Sequence, residues 1–256
     1  VNNNAVTATG VDVSTSSAVP NLYINSTGQT TGVMSTKDNN NPSLLYPVST
    51  NDAVNFYETK HWTSGTGNNA VADQYQSAIA RESDKNVYAD YTFTLGVSNG
   101  KMNVYFDSSD IATTLAANTQ MGTAGRFAIK FGDGEWKLFK VKGNATNNGY
   151  YTDKAATEDT DYWVTGAGDS TKVVKAGYAN MAKYSGSVDG QGQVQIDEGV
   201  DPLATIDSTK NEGKVTVTVR VWYEGCDKDC VSENAQKGIG HAITGNLGFV
   251  GVQTNA

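Results

Sequence analysis

The chain has 256 residues, of which 38% are hydrophobic and only 18% charged, and its formal net charge is −8. An acidic chain lacks the basic stripe that nucleic-acid binding requires, and it is a poor partner for anionic membranes. No segment approaches the roughly 18 to 20 continuous apolar residues of a membrane span, so we expect neither a nucleic-acid partner nor membrane insertion of the mature chain.

The first predicted strand lies in the segment NNAVTATGVDVS, residues 3–14. Val6 and Ala8 alternate with threonines, and Val11 and Val13 continue the alternation after its parity shifts at Gly10. A glycine that shifts the alternation indicates a β-bulge inside one strand. We therefore expect a single bulged strand near the start of the chain.

The middle of the chain predicts two hairpins. Residues 87–95 alternate as a strand, and MNVYF at 102–106 is expected to pair with them across Asn99-Gly100. Asn-Gly between alternating segments is a strong hairpin signal. The segment RFAIKFGDGEWKLFKV, residues 126–141, predicts a second hairpin around its Gly-Asp-Gly turn.

Two segments suggest short helices. Residues 71–82 repeat apolar side chains at helical spacing and predict either a short helix or a polar loop. Residues 108–121 are expected to hold a helical turn, with Ser109 or Asp110 as its N-cap.

The strongest period-two pattern lies at residues 214–224, and a last strand is predicted at about 246–252. One face of the strong strand carries the apolar residues Val215, Val217, Val219, Val221 and Tyr223. The other face carries Thr216, Thr218, Arg220, Trp222 and Glu224. We expect the valines to face the core.

Many period-two segments without a βαβ rhythm predict an all-β protein. We expect an antiparallel β-sandwich of jelly-roll type, with long loops and one or two short helices. Residues 1–14 form an N-terminal extension in this interpretation, and residues 15–256 form a single domain.

Cys226 and Cys230 are the two cysteines of the chain. Their spacing matches neither the C-x2-C knuckle of zinc sites nor the redox C-x-x-C motif. In an exported protein they can close a small disulfide loop, which stabilises by about 2 kcal/mol in the chain-entropy estimate. A structural disulfide is the favoured interpretation, and free thiols, metal binding and an intersubunit bond are the alternatives.

No sequence motif supplies a catalytic centre. His61 and His241 lie in different predicted loops, and the chain contains no G-x-S-x-G nucleophile elbow. A Ser-His-Asp triad stays an alternative because its members need not be adjacent in sequence. We predict that the protein is not an enzyme and has no catalytic residues.

Acidic clusters are the most serious argument for an enzyme, because glycosidases on β-sandwiches use two facing carboxylates. The clusters are Glu158-Asp159-Asp161, Asp197-Glu198-Asp201 and Asp227-Asp229. The segment DGQGQVQIDE, residues 189–198, has glutamines where a calcium loop needs carboxylates. We therefore predict no cofactor and no metal site; calcium is compatible with the acidic surface, but no motif specifies it.

Two features suggest export. The chain begins Val-Asn-Asn-Asn, which is typical of an N-terminus left by signal-peptide removal. The sequons at Asn25 and Asn144 are candidate glycosylation acceptors. We expect an extracellular or cell-surface protein.

Several segments together resemble the TasA/camelysin-type exported fibre-forming surface proteins. They are NNAVTATGVDVS, LLYPVSTNDAVNFY, VYADYTFTL, RFAIKF, VTVRVWYEGCDKDC and LGFVGV, in that order. Proteins of this type often carry an Arg-x-Trp-x-Glu-Gly-x-Asp segment before a last strand. That segment matches Arg220, Trp222, Glu224, Gly225 and Asp227 here, and the resemblance covers about half the chain.

The resemblance implies a jelly-roll subunit of an extracellular fibre, in which the N-terminal strand of one subunit completes a sheet of its neighbour. Val6, Ala8, Val11 and Val13 would then be the donor-strand residues. The expected partners are copies of the same chain in a head-to-tail homopolymer, with other matrix or cell-surface components beside them. The alternative is a monomeric carbohydrate-binding or adhesive module, or a β-sandwich glycosidase; a viral capsid or tail protein is a third class that shares the jelly roll.

Overall fold

A computed structural model describes residues 6–15, 22–34, 44–45, 48, 50–58, 63–64, 71–72, 79–80, 88–107, 110–114, 125–140, 162–164, 173–175, 178–224 and 242–254. Nearly all regular structure in these ranges is β-strand, so the predicted all-β class is confirmed. Within the described residues, the helical segments are two short 3₁₀ helices, Met181–Tyr184 and Asn211–Gly213.

The strands are numbered in chain order. The first ten are β1 (Val6–Thr15), β2 (Leu22–Met34), β3 (Leu44–Leu45), β4 (Tyr57–Glu58), β5 (Thr63–Ser64), β6 (Val71–Ala72), β7 (Ile79–Ala80), β8 (Ala89–Val97), β9 (Lys101–Asp107) and β10 (Asp110–Thr114). The others are β11 (Gly125–Phe131), β12 (Lys137–Lys140), β13 (Tyr162–Val164), β14 (Val173–Lys175), β15 (Ser185–Val188), β16 (Val194–Gln195), β17 (Ala204–Asp207), β18 (Lys214–Tyr223) and β19 (Ala242–Thr254).

Two larger sheets organise the fold. The five-stranded sheet has the order β12-β11-β18-β8-β2 and is antiparallel throughout. The eight-stranded sheet has the order β16-β15-β9-β19-β1-β3, with β10 beside β19 and β17 beside β9. Its β1–β19 and β9–β15 pairs are parallel, so this sheet is mixed rather than purely antiparallel as predicted. Strands far apart in sequence can pair in parallel because the connection between them is long enough to return.

The two sheets share one hydrophobic core. Phe249 of the eight-stranded sheet lies 5.8 Å, ring centre to ring centre, from Phe93 of the five-stranded sheet. Phe106, the ladder partner of Phe249 in the same sheet, meets Phe139 of the five-stranded sheet edge-on at 5.7 Å. Aromatic pairs at these separations add stabilisation beyond the area that they bury. The core therefore holds the two layers together face to face.

The predicted hairpin of β8 with β9 is wrong. β8 pairs with β18 and β2, whereas β9 pairs with β19 and β17 in the other sheet. The chain crosses from one layer to the other at Gly100, whose φ of 74° is accessible to glycine without strain. Both strands carry large apolar side chains, and facing each other across the core buries them better than lying side by side.

The predicted helical turn at 108–121 is also wrong where the structure describes it. Asp110–Thr114 is strand β10, which pairs antiparallel with β19 from Asn246 to Ala242. Its β-branched Ile and Thr residues favour a strand. Pairing with β19 satisfies the backbone of this segment better than the single helical turn predicted from Ser109 or Asp110. Residues 71–72 and 79–80 are short strands as well.

Other predicted strands are confirmed. The hairpin of β11 with β12 forms around the predicted turn, with Ile129 opposite Lys137. β18 is the central strand of its sheet, and Val217, Val219 and Val221 are fully buried in the shared core. The period-two pattern therefore gave the correct inner face of β18.

Candidate functional site: the β1 position and the Arg220 cluster

β1 lies between a long strand and a very short one. It pairs in parallel with β19 from Thr7 opposite Ala242 to Thr15 opposite Phe249. On its other side it pairs with β3 at two positions only, Val6 opposite Leu45 and Thr7 opposite Leu44. β1 thus covers most of the predicted extension 1–14 and adds a strand to the eight-stranded sheet.

The predicted β-bulge in β1 is confirmed. Ala8 is opposite Ile243 and Val11 is opposite Gly245, so β1 advances by three residues while β19 advances by two. The extra residue falls at Thr9 or Gly10, where the sequence alternation changes parity. A bulge restores register after the extra residue and increases the local twist.

All four predicted donor-strand residues lie on these ladders. Val6 is in register with β3, and Ala8, Val11 and Val13 are in register with Ile243, Gly245 and Leu247 of β19. The Leu247 side chain is fully buried in the shared core. The backbone of β1 therefore runs alongside a strand that belongs to the core.

The outward face of β18 carries a buried ion pair. Arg220 donates from Nε to Asp90 Oδ1 at 2.7 Å and from Nη2 to Asp90 Oδ2 at 2.6 Å. Both side chains are largely buried, with 13% and 18% of their surface exposed. Two parallel charge-assisted bonds of this kind fix the plane of the guanidinium group.

Three aromatic rings surround this arginine. The guanidinium carbon lies 3.8 Å from the ring centre of Tyr88, 4.8 Å from that of Trp136 and 5.9 Å from that of Phe56. Cation–π attraction at these distances is strengthened when the cation is shielded from water. We call Arg220, Asp90, Tyr88, Trp136 and Phe56 the Arg220 cluster.

Residues 50–56, which we call the strap, cross this face of the sheet. The carbonyl of Ala53 accepts a bond of 2.6 Å from Arg220 Nη1, and Ala53 is fully buried with a φ of 56°. Just before the strap, Val48 donates its N–H to the carbonyl of Tyr223 at 3.0 Å. β18 thus holds the strap at Ala53 and holds the chain just before the strap at Val48.

The strap is folded around Asp52. Its Oδ1 accepts bonds from the N–H groups of Val54 at 2.8 Å and Asn55 at 2.7 Å. Burial disfavours the ionised carboxylate, but these bonds and those from the Asn55 amide and the Thr50 hydroxyl outweigh burial and hold the pKa of Asp52 below its ordinary value. The ionised form of Asp52 therefore stabilises the strap.

A second small core lies beneath the strap. It consists of Val48, Ala53, Phe56, Ala128, Leu138 and Trp222, with Tyr88, Trp136 and Tyr178 packed against it. The Trp222 indole is fully buried, meets the Phe56 ring edge-on at 5.9 Å and donates from Nε1 to Glu224 Oε2 at 3.4 Å. Arg220, Trp222 and Glu224 of the Arg-x-Trp-x-Glu pattern therefore serve to dock the strap.

Two further cations are buried beside this core. Arg126 and Lys140 are opposite each other in the β11–β12 ladder, and Arg126 is opposite Trp222 in the β11–β18 ladder. Both charges lie over the ring of Tyr178, at 5.2 Å for Arg126 and 5.4 Å for Lys140. The outer face of this sheet thus buries cations against aromatic rings along several adjacent strands.

One predicted acidic cluster, residues 197–201, is described and lies at the surface. Asp197, Glu198 and Asp201 are all exposed. Asp189 uses its carboxylate for local bonds to the N–H groups of Gln191 and Gln193. Among the described residues, no group of three or more His, Cys, Asp or Glu side chains is arranged to hold a metal ion.

Of the remaining predicted site residues, Asn25 is described and the others are not. Asn25 lies on β2, the edge strand of the five-stranded sheet, opposite Thr94. Cys226, Cys230, Asn144, His61 and His241 lie outside the described residues, and so do the acidic clusters at 158–161 and 227–229. The disulfide and the glycosylation of both sequons stay predictions.

The comparisons with known proteins give no assignment. No family model, no curated protein and no solved structure matches this chain. Within the described ranges, no helix has both the length and the apolar character needed to cross a membrane.

The sequence reasoning missed the strap as a partner of β18. Arg220 meets Asp90 across 130 residues of sequence and Ala53 across 167. One signal was available: an arginine and a tryptophan lie on the strand face opposite the valines, where a buried arginine or tryptophan needs packing partners. The same segment LLYPVSTNDAVNFY, noted only for its resemblance, supplies them.

Proposed function

We propose that this chain is the subunit of an extracellular filament, a structural protein without enzymatic activity. In the filament, β1 of one copy occupies the place beside β19 of the next copy. The subunit is a jelly-roll-type β-sandwich, and the filament is a head-to-tail homopolymer that belongs to a cell surface or an extracellular matrix.

The observation that carries this proposal is the position of β1. β1 precedes every other described strand, and residues 16–21 join it to β2. A strand in this position can be exchanged between copies without changing the order of the remaining strands. A neighbouring copy can then supply the same seven ladder positions, from Thr7 to Thr15.

If β1 leaves, pairing of β19 with β1 of another copy is more favourable than leaving this edge of β19 unpaired. Without β1, β19 would expose a row of unpaired N–H and C=O groups from Ala242 to Phe249, and such an edge attracts a strand from another chain. Swapping an identical element keeps every native contact, so it costs little free energy. Head-to-tail contacts that do not close into a ring produce an open filament.

The test uses proline to remove ladder hydrogen bonds from β1. Asp12 and Val13 are adjacent in the β1–β19 ladder, opposite Asn246 and Leu247, so the double change Asp12→Pro, Val13→Pro removes one N–H group on each side of the strand. The control Asp12→Ala, Val13→Ala shortens the same side chains and keeps both N–H groups. Negative-stain electron microscopy should show filaments for the wild type and the alanine control, and none for the proline variant.

Deletion of residues 1–13 should likewise abolish the filaments. Filaments that persist unchanged in the proline variant and in the deletion would overturn the donor-strand proposal. A wild-type chain that stays monomeric at every concentration and binds glycans on an array would favour the carbohydrate-binding alternative.

A further inference from the structure

The strap is connected to β1 through β3. β3 ends at Leu45, and Val48 is bonded to Tyr223 of the other sheet only three residues later. Three extended residues span about 10 Å, and two sheets packed face to face lie about 10 Å apart. Two residues therefore separate β3 from Val48, and the connection can span little more than the usual distance between packed sheets.

This short connection makes the place of β3 depend on how the strap is anchored. The anchor consists of the Val48 bond to β18, the Ala53 carbonyl on Arg220, and Phe56 packed on Trp222. β3 in turn is the described partner of Val6 on the side of β1 away from β19. If the strap leaves the sheet, β3 loses its fixed end and β1 loses its second neighbour.

We propose that the Arg220 cluster and the strap control the release of β1. They do so by keeping β3 paired with Val6 and Thr7 at the start of β1. This inference rests on the proposed function, since release of β1 is the step that precedes strand exchange. An anchored strap keeps β1 in place, and a loosened strap speeds the arrival of a strand from another copy.

The choice of Arg220 as the control point follows from its bonds. One guanidinium group joins three separate parts of the chain: β18, Asp90 of β8 and Ala53 of the strap. Removing it frees the strap carbonyl but leaves the inner face of β18 unchanged. The inner valines of β18 lie in the shared core and not in the core beneath the strap.

The experiment measures how fast the full chain captures a fluorescent peptide of residues 1–15. The test variant is Arg220→Met with Asp90→Asn, which removes both charges together and keeps most of the side-chain volume. Its matched control is Lys214→Met with Glu212→Gln, which removes the exposed 3.0 Å ion pair at the other end of β18, away from the strap. Fluorescence anisotropy follows the capture.

We expect the test variant to capture the peptide at least about tenfold faster than the wild type, the effect of losing one charge-assisted hydrogen bond. The control should stay within about twofold, as expected for an exposed ion pair. Amide hydrogen exchange should increase in the strap, β3 and β1 of the test variant, and should not increase in β8 and β18.

Two results would overturn the inference. One is capture by the test variant at the wild-type rate; the other is faster exchange throughout β8 and β18, which would mean that the pair acts through global stability. If the double variant does not fold, Arg220→Lys replaces it, because lysine keeps the charge but cannot form the paired bonds to Asp90. Arg220→Lys should then also capture the peptide faster than the wild type, by a smaller factor. An unchanged capture rate would overturn the inference.

The outcomes also separate this inference from the proposed function. A wild type and a test variant that capture no peptide, while the strap and β1 lose exchange protection in the variant, would refute strand exchange and support the role of the strap. Equal and measurable capture by both proteins would support strand exchange and refute the role of the strap.

Discussion

The two faces of β18 differ in their side chains and in the parts of the chain that they contact. The inner face carries Val217, Val219 and Val221, all fully buried between the two sheets. The outer face carries Arg220 and Trp222, buried beneath a strap that comes from a distant part of the chain. The inner face packs against the other sheet, and the outer face docks the strap, which follows β3, the short partner of β1. Burial alone therefore does not distinguish the contacts that join the two sheets from the contacts that dock the strap.

The largest effect should come from the inner core. Phe249→Ala removes a ring that contacts Phe93 and Phe131 of the facing sheet and its own ladder partner Phe106. We expect the free energy of unfolding to fall by about 4 kcal/mol, measured by urea denaturation. The matched variant Phe249→Leu should lose clearly less. A loss below about 1 kcal/mol for the alanine variant would mean that this ring does not join the two layers.

The outer face should respond differently to a similar deletion. Trp222→Ala should cost about 3 kcal/mol and should also release the strap, because the indole contacts Phe56 and donates to Glu224. Hydrogen exchange should rise in residues 50–56 more than in β8. Trp222→Phe, which keeps an aromatic ring there, should preserve most of the protection. An equal rise in hydrogen exchange in residues 50–56 and in β8 would contradict this prediction, because Trp222 would then act on overall stability and not on the strap.

A smaller effect is expected at the turn inside the strap. Asp52→Ala removes the acceptor for the N–H groups of Val54 and Asn55 and should cost about 1 kcal/mol. The exposed residue Asp197 provides the control, since Asp197→Ala should change stability by less than about 0.5 kcal/mol. Thermal unfolding at neutral pH compares the two variants.

The pH dependence of this effect has a definite sign. The native pKa of Asp52 lies below the ordinary value of 3.8, so its contribution is present above pH 3.8 and is lost as the pH falls through the lower native value. The stability difference between wild type and Asp52→Ala should therefore shrink in acid. A difference that stays constant through this range would show that the carboxylate charge does not hold the strap.

The sequence predicted the elements better than their partners. Period-two alternation identified β8, β18 and β19, and the parity change at Gly10 located the bulge in β1. Strand alternation and the position of a bulge are determined by residues that are adjacent in sequence, so the local sequence pattern is enough to predict them. The turn between β11 and β12 also followed from its residues, because a tight Gly-Asp-Gly turn joins strands that pair directly.

Long-range placement could not be read in the same way. The Asn-Gly signal after β8 indicates a reversal of the chain, but it does not say whether the next strand pairs beside β8 or crosses to the facing sheet. Similarly, Arg220 and Trp222 indicate that the outer face of β18 needs a cover, but not that the strap supplies it. Core packing between distant segments decides both questions.

The most direct measurement for the donor-strand account is a disulfide placed between β1 and β19. Asp12 and Asn246 are partners in this ladder, so Asp12→Cys with Asn246→Cys can link the two strands. The single variants control for bonds to Cys226 and Cys230. After assembly and oxidation, the account predicts a ladder of covalent multimers on a non-reducing gel that collapses to monomer on reduction. Filaments in which the double variant runs only as an internally linked monomer would contradict it.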